Sequence, residues 1–189
     1  MFSGKIEDYI LFEDKEIIVC RKPAGIAVQN ARIGAMDLES SLKNYLAMQD
    51  GGGRRIPYLA VIHRLDQPVE GILVFGKTPE AAKSLSAQIT AGKMEKIYLA
   101  VTYGKQAEAG KKEKVLEDYL KKDGKSNTSS VVNAHTPGAK KARLSYEVLG
   151  EAVDAISGKK KWLLRIHLDT GRHHQIRVQF ASRGLGLYG

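Results

Sequence analysis

The chain has 189 residues, of which 43% are apolar and 27% charged, with 19 glycines, five prolines and one cysteine. This composition excludes a disordered chain, a collagen-like repeat, an internal disulfide and a cysteine-based zinc cluster, and the apolar runs fall far short of the roughly 20 residues of a membrane-spanning helix. Thirty Lys and Arg against 21 Asp and Glu give a formal charge of +9, which draws polyanions, nucleic acid first and an acidic membrane surface second. The excess is uneven: residues 1–125 carry 20 basic and 17 acidic groups, and residues 126–189 carry 10 and 4. No apolar signal region follows Met1, so a cytoplasmic protein is expected, with a monomer as the default.

In chain order, Ile17 to Cys20 reads as a buried strand ended by the turn Lys22-Pro23-Ala24-Gly25. Leu38, Leu42, Tyr45 and Leu46 recur at helical spacing behind Asp37, a plausible N-cap. Gly51 to Arg55 reads as a flexible basic loop, and Tyr58 to Ile62 as a short strand. Gly71 to Phe75 is a second strand after a break at Pro68. Thr78-Pro79-Glu80 opens a helix that Gly92 stops. Ile97 to Tyr103 is strand-like, and the polar stretch from Lys105 to Lys141 reads either as one short strand near Val115 to Leu120 or as a long excursion. Leu144, Tyr146 and Val148 alternate as a half-buried strand does. Lys159 to Lys161 marks a hairpin turn before a strand from Trp162 to Leu168. A turn at Asp169-Thr170-Gly171 then leads to a helix over Arg172 to Arg183. The expected fold is α+β, a mainly antiparallel mixed β-sheet with helices packed on it.

Three constellations can carry chemistry. His63-Arg64-Leu65-Asp66 lies between two predicted strands on a Pro-bounded loop. A carboxylate there suits a nucleophile or acid–base group, and a structural ion pair is the plainer alternative. Gly171-Arg172-His173-His174-Gln175-Ile176-Arg177 is too polar for a core helix, and its arginines suit bidentate recognition of carboxylate or phosphate, with a solvated basic helix end as the plainer alternative. Its adjacent histidines point to different faces of a helix and do not make a helical zinc pair. Lys96-Ile97-Tyr98 offers a ring for stacking on a base and a cation for phosphate. No phosphate-cradling glycine loop, nucleophile elbow or metal cluster appears, which removes P-loop enzymes, serine hydrolases and zinc deaminases as leading readings, and metal binding is not expected.

Together these segments resemble the RluA-like family of pseudouridine synthases, which isomerise uridine in ribosomal or transfer RNA. Ile17 to Gly25 is similar to the family's opening strand and Lys-Pro-x-Gly turn. His63-Arg64-Leu65-Asp66, with Gly71 and Lys77-Thr78, resembles its catalytic motif. Lys96-Ile97-Tyr98 resembles its tyrosine strand, and Gly171 to Arg177 its Gly-Arg-x-His-Gln-Ile-Arg motif. The resemblance implies RNA as partner, Asp66 as nucleophile and no cofactor. The uridine is flipped out of its stack. Tyr98 stacks on the uracil, Arg177 pairs with Asp66 and orients it, and Arg64 helps fill the vacated space. His63, Lys96, Arg172, His174, Gln175 and the basic stretch of Lys140, Lys141 and Arg143 are expected at the RNA.

Gln67-Pro68-Val69-Glu70 departs from the family's usual basic-x-Thr-Ser run. No S4-type RNA-binding domain precedes the first strand near Ile10, and the family continues past Gly189. One catalytic domain over residues 1–189, shortened at its C-terminus, is the expectation. Two rivals remain: an inactive RNA-binding module of the same fold, and a carboxylate-based glycosidase. The second needs paired carboxyl groups, and the companions of Asp66 are Arg and His.

Overall fold

The computed structural model describes residues 4–30, 36–51, 56–104 and 113–188. The chain divides into two compact units, Met1–Lys93 and Met94–Gly189, where the sequence alone reads as one domain. Apart from Gly51, the expected basic loop lies outside the described residues.

In the first unit a 3-10 turn at Ile6–Tyr9 leads into β1 (Ile10–Glu13), β2 (Ile17–Lys22), α1 (Leu38–Gln49), β3 (Ala60–Val61), β4 (Gly71–Gly76) and α2 (Pro79–Thr90). The strands form one sheet in the order β1-β2-β4-β3, and every pairing in it is antiparallel. Alternation along β2 turns Ile18 and Cys20 inward, where they meet Leu73 and Phe75 of β4 and Leu38, Leu42 and Leu46 of α1. Both helix starts carry the caps their sequence promises: the Asp37 carboxylate accepts from Ser40 N, and Thr78 Oγ1 accepts from Ala81 N. The strand expected over Tyr58 to Ile62 shrinks to the two residues of β3.

Gly76 lets α2 approach β4. A Cβ there would stand 2.9 Å from Ala82 N and 3.0 Å from Ala82 Cα, both backbone atoms. Gly76→Ala is therefore expected to force strand and helix apart and to cost about 1–3 kcal/mol, measurable as a lowered denaturant midpoint at unchanged m-value.

The second unit contains β5 (Ile97–Tyr103), β6 (Lys114–Asp123), β7 (Thr128–Val132), β8 (Lys140–Val153), β9 (Lys160–Leu168), α3 (Gln175–Ala181) and β10 (Gly186–Leu187). They build a second sheet in the order β10-β5-β9-β8-β6-β7. Each of its pairings is antiparallel, as hairpin connections require. The polar stretch after Lys105 thus supplies two strands. Lys160 and Lys161, expected in the turn, already belong to β9. One face of the sheet carries Leu144, Tyr146, Trp162, Leu164 and Ile166, on which Phe180 of α3 packs. The Tyr146 and Phe180 rings meet edge-on at 5.0 Å.

The helix expected over Arg172 to Arg183 is shorter at its start. His174 adopts a left-handed conformation with φ of 53°, so α3 begins only at Gln175. Arg172 and both histidines stand before the helix, and their directions follow the preceding turn rather than a helical wheel.

Candidate active site

In the first unit, Asp66 sits on the turn that follows β3, and Val69 N closes that turn by donating to Asp66 O at 3.0 Å. The carboxylate is half-buried, whereas Arg64 stands exposed. The turn is held from the Lys22-Pro23-Ala24-Gly25 side. Gly25 N donates to Gln67 O at 2.9 Å, and Gln67 Nε2 returns a bond to Gly25 O at 3.0 Å. Gly25 has φ of +83°, a conformation that a side chain would strain.

Lys22 completes the clasp, and sequence reasoning assigned it no role beyond the turn motif. Its side chain is fully buried. Its ammonium donates to Ile26 O at 2.7 Å, Pro23 O at 3.0 Å and Gln67 O at 3.0 Å. Burial pushes the Lys22 pKa down, against the opposing pull of the Asp66 and Glu70 carboxylates. A buried cation thus lies in the field of Asp66 and is hydrogen-bonded to the residue after it. The signal was present in the sequence: Ile18, Cys20 and Lys22 share the inward parity of β2.

His63, expected at the RNA, turns Nε2 toward the β4 backbone, where Val74 N donates to it at 3.4 Å. That bond requires the proton on Nδ1.

In the second unit, Tyr98 is half-buried beside the core. Lys96 lies two residues before it; burial lowers the Lys96 pKa, the Asp169 carboxylate pulls it back up and the Arg172 cation pushes it down. Arg172 is tethered through Nε to Lys141 O at 2.8 Å. Arg177 lies on α3 and is half-buried.

Gln175, expected to reach RNA, is buried instead. Its Oε1 accepts from Thr170 Oγ1 at 2.8 Å and Arg172 N at 3.0 Å, and its Nε2 donates to Arg143 O at 3.1 Å. These bonds turn the amide inward, so in this conformation it shapes the Arg172 turn rather than facing a ligand. The rings of His173 and His174 stack at 3.8 Å, and His173 Nδ1 shares a 2.9 Å hydrogen bond with Ser129 Oγ of β7.

The basic stretch of β8 does not form one patch. Successive strand residues face opposite sides of a sheet, which separates Lys140 from Lys141 and Arg143. Glu117 lies 2.9 Å from Lys141 Nζ, and Arg143 pairs with Asp169 and approaches Glu117. Those two cations are thereby compensated within the protein.

The family model described as RNA pseudouridylate synthase matches residues 16–182, which contain all four motifs. The chain belongs to this family. An RNA pseudouridine synthase of Zymomonas mobilis is 33% identical over 178 residues, 94% of this chain and 74% of that protein. Ribosomal large subunit pseudouridine synthase D of Nitrosomonas europaea is 33% identical over 180 residues, 95% of this chain and 48% of the relative. The chain thus spans about half the length of the latter. Human RNA pseudouridylate synthase domain containing 4 shares the fold, with a TM-score of 0.73 at 22% identity, over 97% of this chain and 68% of the human one. These likenesses, with relatives also named synthase C, place the chain in the RluA-like group.

Proposed function

We propose that the chain isomerises uridine to pseudouridine in RNA, with Asp66 as nucleophile. The observation that carries this reading is the Asp66 turn, clasped by Lys22, Gly25 and Gln67 so that one carboxylate is fixed at a half-buried position. In the reaction the N1–C1′ bond breaks, the uracil turns and a C5–C1′ bond forms. The proton on C5 leaves and N1 ends protonated, so no oxidant, reductant or net hydrolysis is needed. The carboxylate attacks the base or the sugar and is released unchanged. Tyr98 stacks on the flipped uracil and Arg177 orients the carboxylate, the roles that kinship suggests. Relatives named for the large ribosomal subunit make ribosomal RNA the first substrate to test and transfer RNA the second.

The test is to incubate the purified chain with unmodified ribosomal and transfer RNA and to map pseudouridine at single-nucleotide resolution. Conversion at discrete uridines is the expected result. Binding without conversion on either RNA would favour an inactive RNA-binding module. With a formal charge of +9, affinity for a structured RNA is expected to fall at least about tenfold between 50 and 200 mM salt, because each phosphate contact releases counterions. A flat titration would overturn the electrostatic part of the reading.

A further inference from the structure

The cations of the second unit fall into two groups. Lys160 and Lys161, at the end of the sheet where β8 meets β9, are paired with Glu151 and Asp154. Arg165 pairs with Glu147, Arg183 with Asp118, and Lys141 with Glu117. Lys121, Lys122 and Lys125 are in none of these pairs, nor are Lys96, Lys140, Lys159 and Arg172. Lys121, Lys122 and Lys125 lie toward the tip of the β6–β7 hairpin, Lys121 and Lys122 on opposite faces of its ribbon and Lys125 in its turn.

Topology sets this tip apart. Leu120 of β6 is opposite Lys140, the first residue of β8, so the hairpin beyond Leu120 pairs only with itself. It overhangs the sheet as a two-stranded ribbon of three residue pairs, about 10 Å long, closed by its turn. Asp123 is the one carboxylate between Lys121 and Ser130, and it is occupied by Lys125 N and Ser126 Oγ, each at 2.8 Å. A free two-stranded ribbon is marginal in water. This one is fastened by Ser129, which lies opposite Lys122 and shares its hydrogen bond with His173 of the Gly171–Arg177 motif. In an antiparallel sheet the ends of β6 and β9 and the starts of β5, β7 and β8 lie on one side. Lys96, Arg172 and Lys140 therefore stand at the same end as the tip. From β5 to β7 the four inter-strand steps span about 19 Å.

We propose that the β6–β7 hairpin is an RNA-gripping arm, in which Lys121, Lys122 and Lys125 take backbone phosphates of the substrate away from the reacting nucleotide. The inference rests on RNA being the substrate. It adds that the substrate must extend from the Lys96–Arg172 region to the hairpin tip. Lysines acting on phosphates supply affinity and register rather than sequence choice.

The test measures binding of a 20-nucleotide RNA stem-loop as a function of KCl, for the wild type and for Lys121→Gln/Lys122→Gln/Lys125→Gln. Three lost phosphate contacts are expected to weaken binding at least about tenfold near 0.1 M salt and to flatten the salt slope by about two. Lys159→Gln/Lys160→Gln, at the opposite end of the sheet, serves as the control for net charge and is expected to stay within about twofold. Wild-type affinity in the triple variant, or an equal loss in the control, overturns the arm. With ribosomal RNA as substrate, the triple variant is expected to raise KM at unchanged kcat. Pseudouridine formation with unchanged Kd and KM in the triple variant would sink the arm and leave the catalytic reading intact. Hairpin-dependent binding without any pseudouridine would do the reverse, and no RNA binding at all would overturn both.

Discussion

Asp66→Asn is expected to reduce pseudouridine formation by at least about 10³-fold while leaving the fold intact, because only the carboxylate can act as nucleophile and the amide preserves its shape. The bonds that close and fasten the turn do not use the carboxylate. Its closing bond runs from Val69 N to the backbone oxygen of Asp66, and its fastening to Gly25 uses groups of Gln67. The variant should therefore unfold at nearly the wild-type denaturant concentration and bind RNA with nearly wild-type affinity. Single-turnover conversion of a labelled uridine, read beside a denaturant titration, checks both halves. Conversion near the wild-type rate would remove Asp66 from the chemistry. A large loss of stability would make it a structural residue instead.

Where signals were local, the sequence carried the fold. Asp37 and Thr78 announced α1 and α2, and both cap their helices through side-chain oxygens. Alternation announced β8, where Ala142, Leu144 and Tyr146 are buried in turn. The β6–β7 hairpin was not legible as such, because its overhanging half is exposed on both sides and so lacks the apolar alternation that marks a half-buried strand. The start of α3 was misplaced for a different reason. A left-handed residue at His174 is set by the turn around it, with the Gln175 amide drawing Thr170 and Arg172 inward. Composition gives no warning of that. Arg172, His174 and Gln175 were all expected at the RNA, whereas burial separates Gln175, which shapes the turn, from Arg172, which stands exposed.

Lys22 is the residue whose importance only the structure brings out, and Lys22→Met is expected to cost about 2–4 kcal/mol of stability at neutral pH. The replacement has similar length and no donor. Ile26 O, the shortest of the three contacts at 2.7 Å and the buried one, loses its partner outright. Pro23 O and Gln67 O are partly exposed and regain some hydration from water. Against these losses stands the relief of no longer burying an ammonium, a relief that can exceed the loss when buried charges are replaced by well-packed apolar groups. Here three carbonyls converge on the ammonium and solvate it, so the loss should win. The pH dependence separates the two contributions. Burial lowers the folded-state Lys22 pKa below the ordinary lysine value of about 10.4. Between those two values the unfolded chain binds more protons than the folded one, so the wild type gains stability as pH rises through that window. The variant lacks the group and lacks this gain. The difference in unfolding free energy between wild type and Lys22→Met should thus be constant well below the window and widen through it toward pH 10. Paired denaturant titrations at several pH values measure that difference. A variant as stable as the wild type at neutral pH would show that the clasp on the Asp66 turn does not depend on the Lys22 ammonium, and a difference that narrows as pH rises would show that folding raises the Lys22 pKa instead of lowering it.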